Sequence, residues 1–226
     1  MKKYLGYFSK GEMLLWLFEV ALIIASFCIF DRTGFINLIA SLIGITALLF
    51  CAKGNPIGQA LVILFSAFYG IISFGFSYYG EMITYLGMTA PMAVIALVSW
   101  IKHPSENRSE VKIRALKKSD IIIMIPATIA VTVVFYFILR FFGTANLLTS
   151  TISVTTSFSA AFLAFKRSPY YAIAYILNDI VLMVLWSMAA FENISYLSVI
   201  VCFFAFFIND AYTFINWKRL EKKQNG

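Results

Sequence analysis

Charge is scarce in this chain. Of its 226 residues only 13% are charged, where a soluble domain carries about a quarter. A water-facing surface cannot be built from so few. Histidine occurs once, at His103 beside Pro104, so no H-E-x-x-H metal site exists. No G-x-x-x-x-G-K-[ST] is present, which excludes an ATPase of the P-loop kind within this chain. The three cysteines, Cys28, Cys51 and Cys202, fall in separate apolar runs. They read as small core hydrophobes and not as a disulfide framework. Alternation at period two is absent as well, which argues against a lipid-facing β-barrel.

What is present is hydrophobic sequence. Apolar residues make up 61% of the chain, and mean hydropathy is +0.85. A bilayer core about 30 Å thick needs about 20 apolar residues per helix. Eight such runs are predicted, at 13–30, 35–52, 57–77, 83–101, 120–142, 146–165, 170–190 and 195–217. The fold class is therefore an all-α integral membrane protein. The first run is too long for a signal peptide, is interrupted by Glu19, and precedes no small-x-small site. Phe27 before Cys28 argues against a lipoprotein cysteine.

The net charge of +7 is a topology signal. With eight helices and a cytoplasmic N-terminus, Arg32 and Arg140 alone fall outside. The other sixteen of the 18 Lys and Arg fall inside, as the positive-inside rule requires. A nucleic-acid footprint is excluded on that ground.

The chain also repeats itself. "GFINLIASLI" from Gly34 aligns with "GTANLLTSTI" from Gly143, "KGNP" at Lys53 with "KRSP" at Lys166, and "VSWIK" at Val98 with "INWKR" at Ile215. Four helices return the chain to its starting side, so the two halves enter the membrane in the same direction. The expected organisation is 1–101 as the N-terminal half, 102–119 as a basic cytoplasmic linker, 120–219 as the C-terminal half and 220–226 as a tail. "EVKIRALKKSD" is expected to form a short interfacial helix, with Ser119 or Asp120 capping the fifth membrane helix. Parallel halves about an axis along the membrane normal suggest transport through a central path.

Two Asn-Asp pairs interrupt the last two apolar runs, Asn178–Asp179 and Asn209–Asp210. Each Asn lies about 12 Å from the cytoplasmic end of its helix, at 1.5 Å per residue. The two pairs therefore reach one depth and can meet. An acid at a helix centre costs about 2.5–3.5 kcal/mol to insert, so it should face a polar cavity or a partner. A structural knot between the two helices is the plainer role for the Asp residues. For the Asn residues, contact with a ligand is at least as good a reading. Phe65, Tyr69, Tyr175 and Tyr212 fall at the same depth. Aromatics beside amides suit a flat ring stacked on its face and hydrogen-bonded at its edge. The candidate substrate residues are Phe65, Tyr69, Tyr175, Asn178, Asp179, Asn209 and Tyr212. Trp16, Trp100 and Trp217 are expected to anchor at the membrane interface. Glu19 is expected to snorkel or to pair with a basic loop. No metal site and no cofactor are expected.

The chain resembles the PnuC family of vitamin and nucleoside transporters. The likeness rests on "AKG" at Ala52–Gly54, "YGIISFGFSYYGEM" at Tyr69–Met82, Pro91 followed by "VSWIK", and "NDIVLMVLW" at Asn178–Trp186. Its most specific part is Ile208, Asn209, Tyr212, Ile215, Asn216 and Trp217. The resemblance implies a fold similar to SWEET proteins. Two parallel three-helix bundles are joined by the fifth helix, and the first helix is an addition. It also implies a bacterial inner-membrane protein with both termini cytoplasmic, carrying nicotinamide riboside by facilitated diffusion. An intracellular kinase would then be a functional partner that traps the substrate. Related members carry thiamine, riboflavin or deoxynucleosides. Phe65, Ala93, Ala172 and Tyr175 depart from the residues expected of a riboside transporter, so the choice among these substrates stays open. Homo-oligomerisation is left open too. The remote rival is an intramembrane aspartyl protease built on two Asp residues, but the G-x-G-D context it needs is missing.

Overall fold

The structure, a computed structural model, describes residues 7–75, 79–106 and 109–225. Lys2, Lys3, Phe76, Ser77, Tyr78 and Arg108, which entered the expectations above, lie outside them. Among the described residues eight helices are long and apolar enough to cross a membrane. They are α1 Lys10–Asp31, α2 Phe35–Ala52, α3 Pro56–Phe74, α4 Tyr79–Lys102, α5 Lys118–Phe141, α6 Leu147–Phe165, α7 Tyr170–Ala190 and α8 Ile194–Gln224. The expected runs are all there, shifted by a few residues at their ends.

Six of these helices close a ring. α2 packs on α3, α3 on α4, α4 on α6, α6 on α7, α7 on α8, and α8 returns to α2. α1 lies outside the ring on α2 and α8, while α5 lies outside on α6 and touches the start of α4. The order is thus one helix plus three, then one plus three.

The ring is closed at its basic side by bonds that the repeat duplicates. A helix leaves its last four carbonyls without partners. At the end of α2, the Cys51 carbonyl accepts from Trp217 Nε1 on α8 at 2.8 Å, and the Ala52 carbonyl accepts from Asn216 Nδ2 at 2.8 Å. At the end of α6, the Ala164 carbonyl accepts from Trp100 Nε1 on α4 at 2.9 Å, and the Phe165 carbonyl accepts from Ser99 Oγ at 2.9 Å. Cys51 and Ala164 are equivalent positions, as are Lys53 and Lys166. Each half caps the other. The two indole rings meet at 5.2 Å between centroids, with Tyr171 4.7 Å from Trp217. Trp100 and Trp217 are fully buried, so neither is an interface anchor as expected. Their N–H groups are held by protein carbonyls and need no water. Trp16 is half-buried and donates to Thr46 Oγ1 at 3.2 Å.

The outer helices repeat this logic. Lys53 Nζ, at the end of α2, lies 3.3 Å from Glu12 in the first turn of α1. Lys166 Nζ, at the end of α6, lies 3.3 Å from Asp120 in the first turn of α5. Both acids also serve the helix start: Ser9 N donates to Glu12 Oε2 and Lys117 N to Asp120 Oδ2.

The linker is not the expected interfacial helix. Residues 112–117 are extended, and α5 begins at Lys118 with Asp120 inside its first turn. Val111 and Ile113 are buried while Lys112 is exposed, the period of an extended strap. The strap is pinned by backbone bonds to two left-handed turns. Val111 N donates to the Gly54 carbonyl at 2.8 Å and Arg114 N to the Arg167 carbonyl at 3.0 Å. Gly54 and Arg167 have φ of 66° and 59° and occupy equivalent places after α2 and α6. Glycine reaches that conformation without strain; Arg167 does not, and the strap bond helps to hold it. α8 continues beyond residue 217 as helix to Gln224. There the Gln224 side chain accepts from Ile113 N at 2.8 Å and donates to the Val111 carbonyl at 3.2 Å. The expected tail is therefore largely part of α8.

Removing either indole donor should loosen the ring. Trp100→Phe and Trp217→Phe keep the ring packing and lose one bond each, worth about 0.5–1.5 kcal/mol. Thermal melts of the detergent-solubilised protein should fall by similar amounts for the two variants, and an unchanged melt for both would contradict the capping role.

Candidate substrate-binding cavity

Inside the ring lies a cavity of about 70 Å³. All six ring helices line it, four of them with three or four residues each. α2 contributes Gly44, Ala47, Leu48 and Cys51; α3 contributes Gln59, Val62 and Phe65; α7 contributes Tyr171, Tyr175, Asn178 and Asp179; α8 contributes Phe203, Phe206 and Asp210. α4 adds Tyr85 and Thr89, and α6 adds Ser157.

Local sequence places these groups. Gly44 lies against the rings of Phe206 and Phe65, and an added Cβ would fall within 3.2 Å of the Phe65 ring. Only glycine lets both rings approach α2 there. On α4, Tyr85–Thr89 forms a π-helical turn. Pro91 follows it, and its missing N–H cannot bond the Gly87 carbonyl. The widened turn puts Tyr85 and Thr89 on the cavity wall.

The wall is mostly aromatic and apolar, with few polar groups. Asn178 is buried. Its Oδ1 accepts from Thr156 Oγ1 and Ser157 Oγ on α6, both at 2.8 Å. That fixes the amide and leaves its Nδ2 as a donor toward a ligand. Asp179 and Asp210 are both buried and their carboxyls touch. Asp179 Oδ2 and Asp210 Oδ1 accept no hydrogen bond. Two carboxyls in contact cannot both be ionised without a cation close by. Among the described residues no Lys, Arg or His lines the cavity.

Two aromatic clusters bound the cavity. On its basic side lie Tyr171, Trp100 and Trp217. Toward the opposite side Phe65, Tyr69, Tyr85, Phe203 and Phe206 meet at centroid distances of 4.4–6.0 Å. Ligand sites for drug-sized molecules are about 300–1,000 Å³, so loading this cavity requires its walls to part.

The structure brings Phe65, Tyr175, Asn178 and Asp179 together on the wall. Tyr69 lies behind Tyr85, in the aromatic cluster against Trp186, and lines no part of the cavity. Asn209 and Tyr212 point the other way. Asn209 Nδ2 donates to Glu19 Oε2 at 3.0 Å, and Tyr212 Oη donates to Glu12 Oε1 at 2.7 Å. The hundred-degree step per residue explains the divergence: Asp210 faces the cavity, so Asn209 beside it faces α1. Glu19 neither snorkels nor meets a loop; it is fully buried in the α1–α8 seam. Gln59, Tyr85, Tyr171 and Ser157 were missed. Gln59, a buried amide in an apolar helix, was visible in the sequence as a polar interruption; the others needed the packing.

The family model of the nicotinamide mononucleotide transporter matches residues 34–219. The chain belongs to this family. It is a multi-pass membrane transporter and no enzyme, so the two aspartates are not a protease dyad. The nicotinamide riboside transporter PnuC of Neisseria mucosa is 26% identical over 216 residues, covering 93% of this chain and 82% of that one. A crystal structure of the vitamin B3 transporter PnuC has the same fold, with a TM-score of 0.83 and 24% identity over 96% of this chain and 94% of its own.

If Asn209 and Tyr212 hold α1 and not the ligand, Asn209→Ala and Tyr212→Phe should lower the melting temperature and speed amide exchange in α1. Ligand affinity should stay within about threefold for both. A loss of affinity without loss of stability would return these residues to the cavity.

Proposed function

We propose that the protein carries nicotinamide riboside, or a closely related nucleoside-like vitamin, down its gradient across a bacterial inner membrane. Both termini face the cytoplasm, and intracellular phosphorylation traps the substrate. The observation that carries this reading is the aromatic-walled cavity inside the six-helix ring, with Asn178 held by two hydroxyls as a fixed edge contact. Tyr175, Phe65 and Tyr85 offer ring faces. The name of the family and that of the relative differ by one phosphate. The lining favours the riboside, because a phosphate would meet two carboxyls and no Lys or Arg. No nucleotide-binding motif supplies energy, and the parallel halves suit alternating exposure of one site.

Labelled nicotinamide riboside should enter liposomes containing only this protein, saturably and without ATP. Asn178→Ala should weaken binding by about tenfold or more, from roughly 1–3 kcal/mol of lost bonding. A protonophore should leave counterflow unchanged. Uphill accumulation that collapses with the pH gradient would refute facilitated diffusion.

Topology has its own test. Single cysteines placed near Tyr79 and Asn193 should react with an impermeant reagent from outside, while one at Lys112 should not. The reverse pattern would invert the orientation.

A further inference from the structure

We infer that the touching carboxyls of Asp179 and Asp210 make this cavity selective for a flat heteroaromatic cation, a ring with a fixed positive charge, over the neutral ring of the same shape. The inference rests on the transport reading above and names the charge class of its substrate.

The argument begins with what the pair lacks. Each carboxyl has an oxygen that accepts no hydrogen bond, Asp179 Oδ2 and Asp210 Oδ1. Both residues are at least 97% buried and both line the cavity. Buried polar atoms are bonded with few exceptions, and an orphaned oxygen beside a cavity has its partner in what enters it. The groups facing the pair offer no protein cation. Gln59, Ser157, Thr89, Tyr85, Tyr171 and Tyr175 are neutral, and Lys, Arg and His are missing from the wall. Glu19, buried in the α1–α8 seam behind Asp210, is a third acid and offers no cation either. The pair therefore presents orphaned carboxyl oxygens to the cavity, and among the described residues no Lys, Arg or His on the wall answers them.

The second feature is the rings. Phe65, Tyr85, Tyr171, Tyr175, Phe203 and Phe206 line the same cavity. Aromatic faces attract organic cations, and recognition of quaternary nitrogen by aromatic walls is their established use. A carboxyl pair behind such walls is the arrangement of a ligand counter-ion in a membrane protein. An ammonium would form strong directional bonds; a ring cation with no N–H spreads its charge over the ring and suits rings plus a diffuse anion. Pyridinium and thiazolium nuclei share this chemistry.

The test compares pairs that differ in charge alone. Nicotinamide riboside carries a pyridinium, and its reduced dihydro form is neutral and close in shape. Thiamine carries a thiazolium, and deazathiamine is its neutral thiophene analogue. Each is titrated against the purified wild type by calorimetry, with a neutral deoxynucleoside alongside. The cation of a recognised pair should bind about tenfold or more tighter than its neutral partner, a modest fraction of what one unit charge at such distances gives. The Asp179→Asn/Asp210→Asn protein should bind both members within about threefold of each other. Should the double variant fail to fold, the two single variants are compared, and each should narrow the gap. Equal binding of both members by the wild type, or an undiminished preference in the variants, overturns the inference and leaves the substrate reading intact. Binding of the thiamine pair alone, with the cation preferred, corrects the substrate and upholds the inference. Tight binding of the deoxynucleoside with neither cation overturns both.

Discussion

The ring depends on where the last carbonyls of α2 and α6 find their donors. An α-helix cannot satisfy its own C-terminal carbonyls, and in a membrane protein an unpaired one away from water costs several kcal/mol. Here the turn N–H groups of Gly54 and Arg167 reach the Cys51 and Ala164 carbonyls, and side-chain donors complete the set: Trp217 and Asn216 for α2, and Trp100 and Ser99 for α6. These side chains come from the other half in both cases. Neither three-helix unit is complete by itself, and two seams close together. The strap between residues 111 and 117 adds a third tie, because it bonds the left-handed turns that follow both helices. The same few residues thus end two helices, close two seams and fix the floor of the cavity.

On this symmetric floor the chemistry is one-sided. Asn178, Asp179 and Asp210 all come from α7 and α8. The repeat-equivalent positions in the first half are Phe65, Ser66, Met92 and Ala93. Phe65 does line the cavity, while Ser66 returns its hydroxyl to the Val62 carbonyl at 2.8 Å. The first half supplies two of the cavity's rings, Phe65 and Tyr85, the close approach at Gly44, and the neutral polar groups of Gln59 and Thr89. The second supplies the other four rings together with Asn178 and both carboxyls.

Much of this was legible in the sequence. Helix number and the repeat follow from hydropathy and three aligned motifs. The meeting of the two Asn-Asp pairs at one depth followed from counting residues. Direction around the helix did not. Depth alone put Asn209 and Tyr212 with Asp210, and the sequence offered Glu12 and Glu19 as acids without saying that α1 would sit against α8. The linker misled for a different reason. Its basic, helix-favouring composition pointed to an interfacial helix, but two free N–H groups facing two left-handed turns are worth more than local propensity. Trp100 and Trp217 misled because an indole near a helix end serves equally well as an anchor or as a donor to a carbonyl, and only packing decides which.

The two added helices are as unequal as the two halves of the cavity. α1 fits the seam between α2 and α8, and Glu19 at its middle is buried against Asn209. α5 occupies the corresponding place beside α6, but its membrane-spanning window buries no residue at all. An acid at its middle would face lipid, at about 2.5–3.5 kcal/mol on insertion scales, with no amide to receive it. Its only buried acid is Asp120, in the first turn, where Arg114 at 2.9 Å and Lys166 at 3.3 Å answer it. α5 instead meets α6 through paired hydroxyls, Thr132 Oγ1 with Thr155 Oγ1 at 2.9 Å and Thr128 Oγ1 with Ser159 Oγ at 3.4 Å. Such pairs satisfy each other without a charge, whereas Glu19 needs the buried seam and the Asn209 amide that α8 gives it.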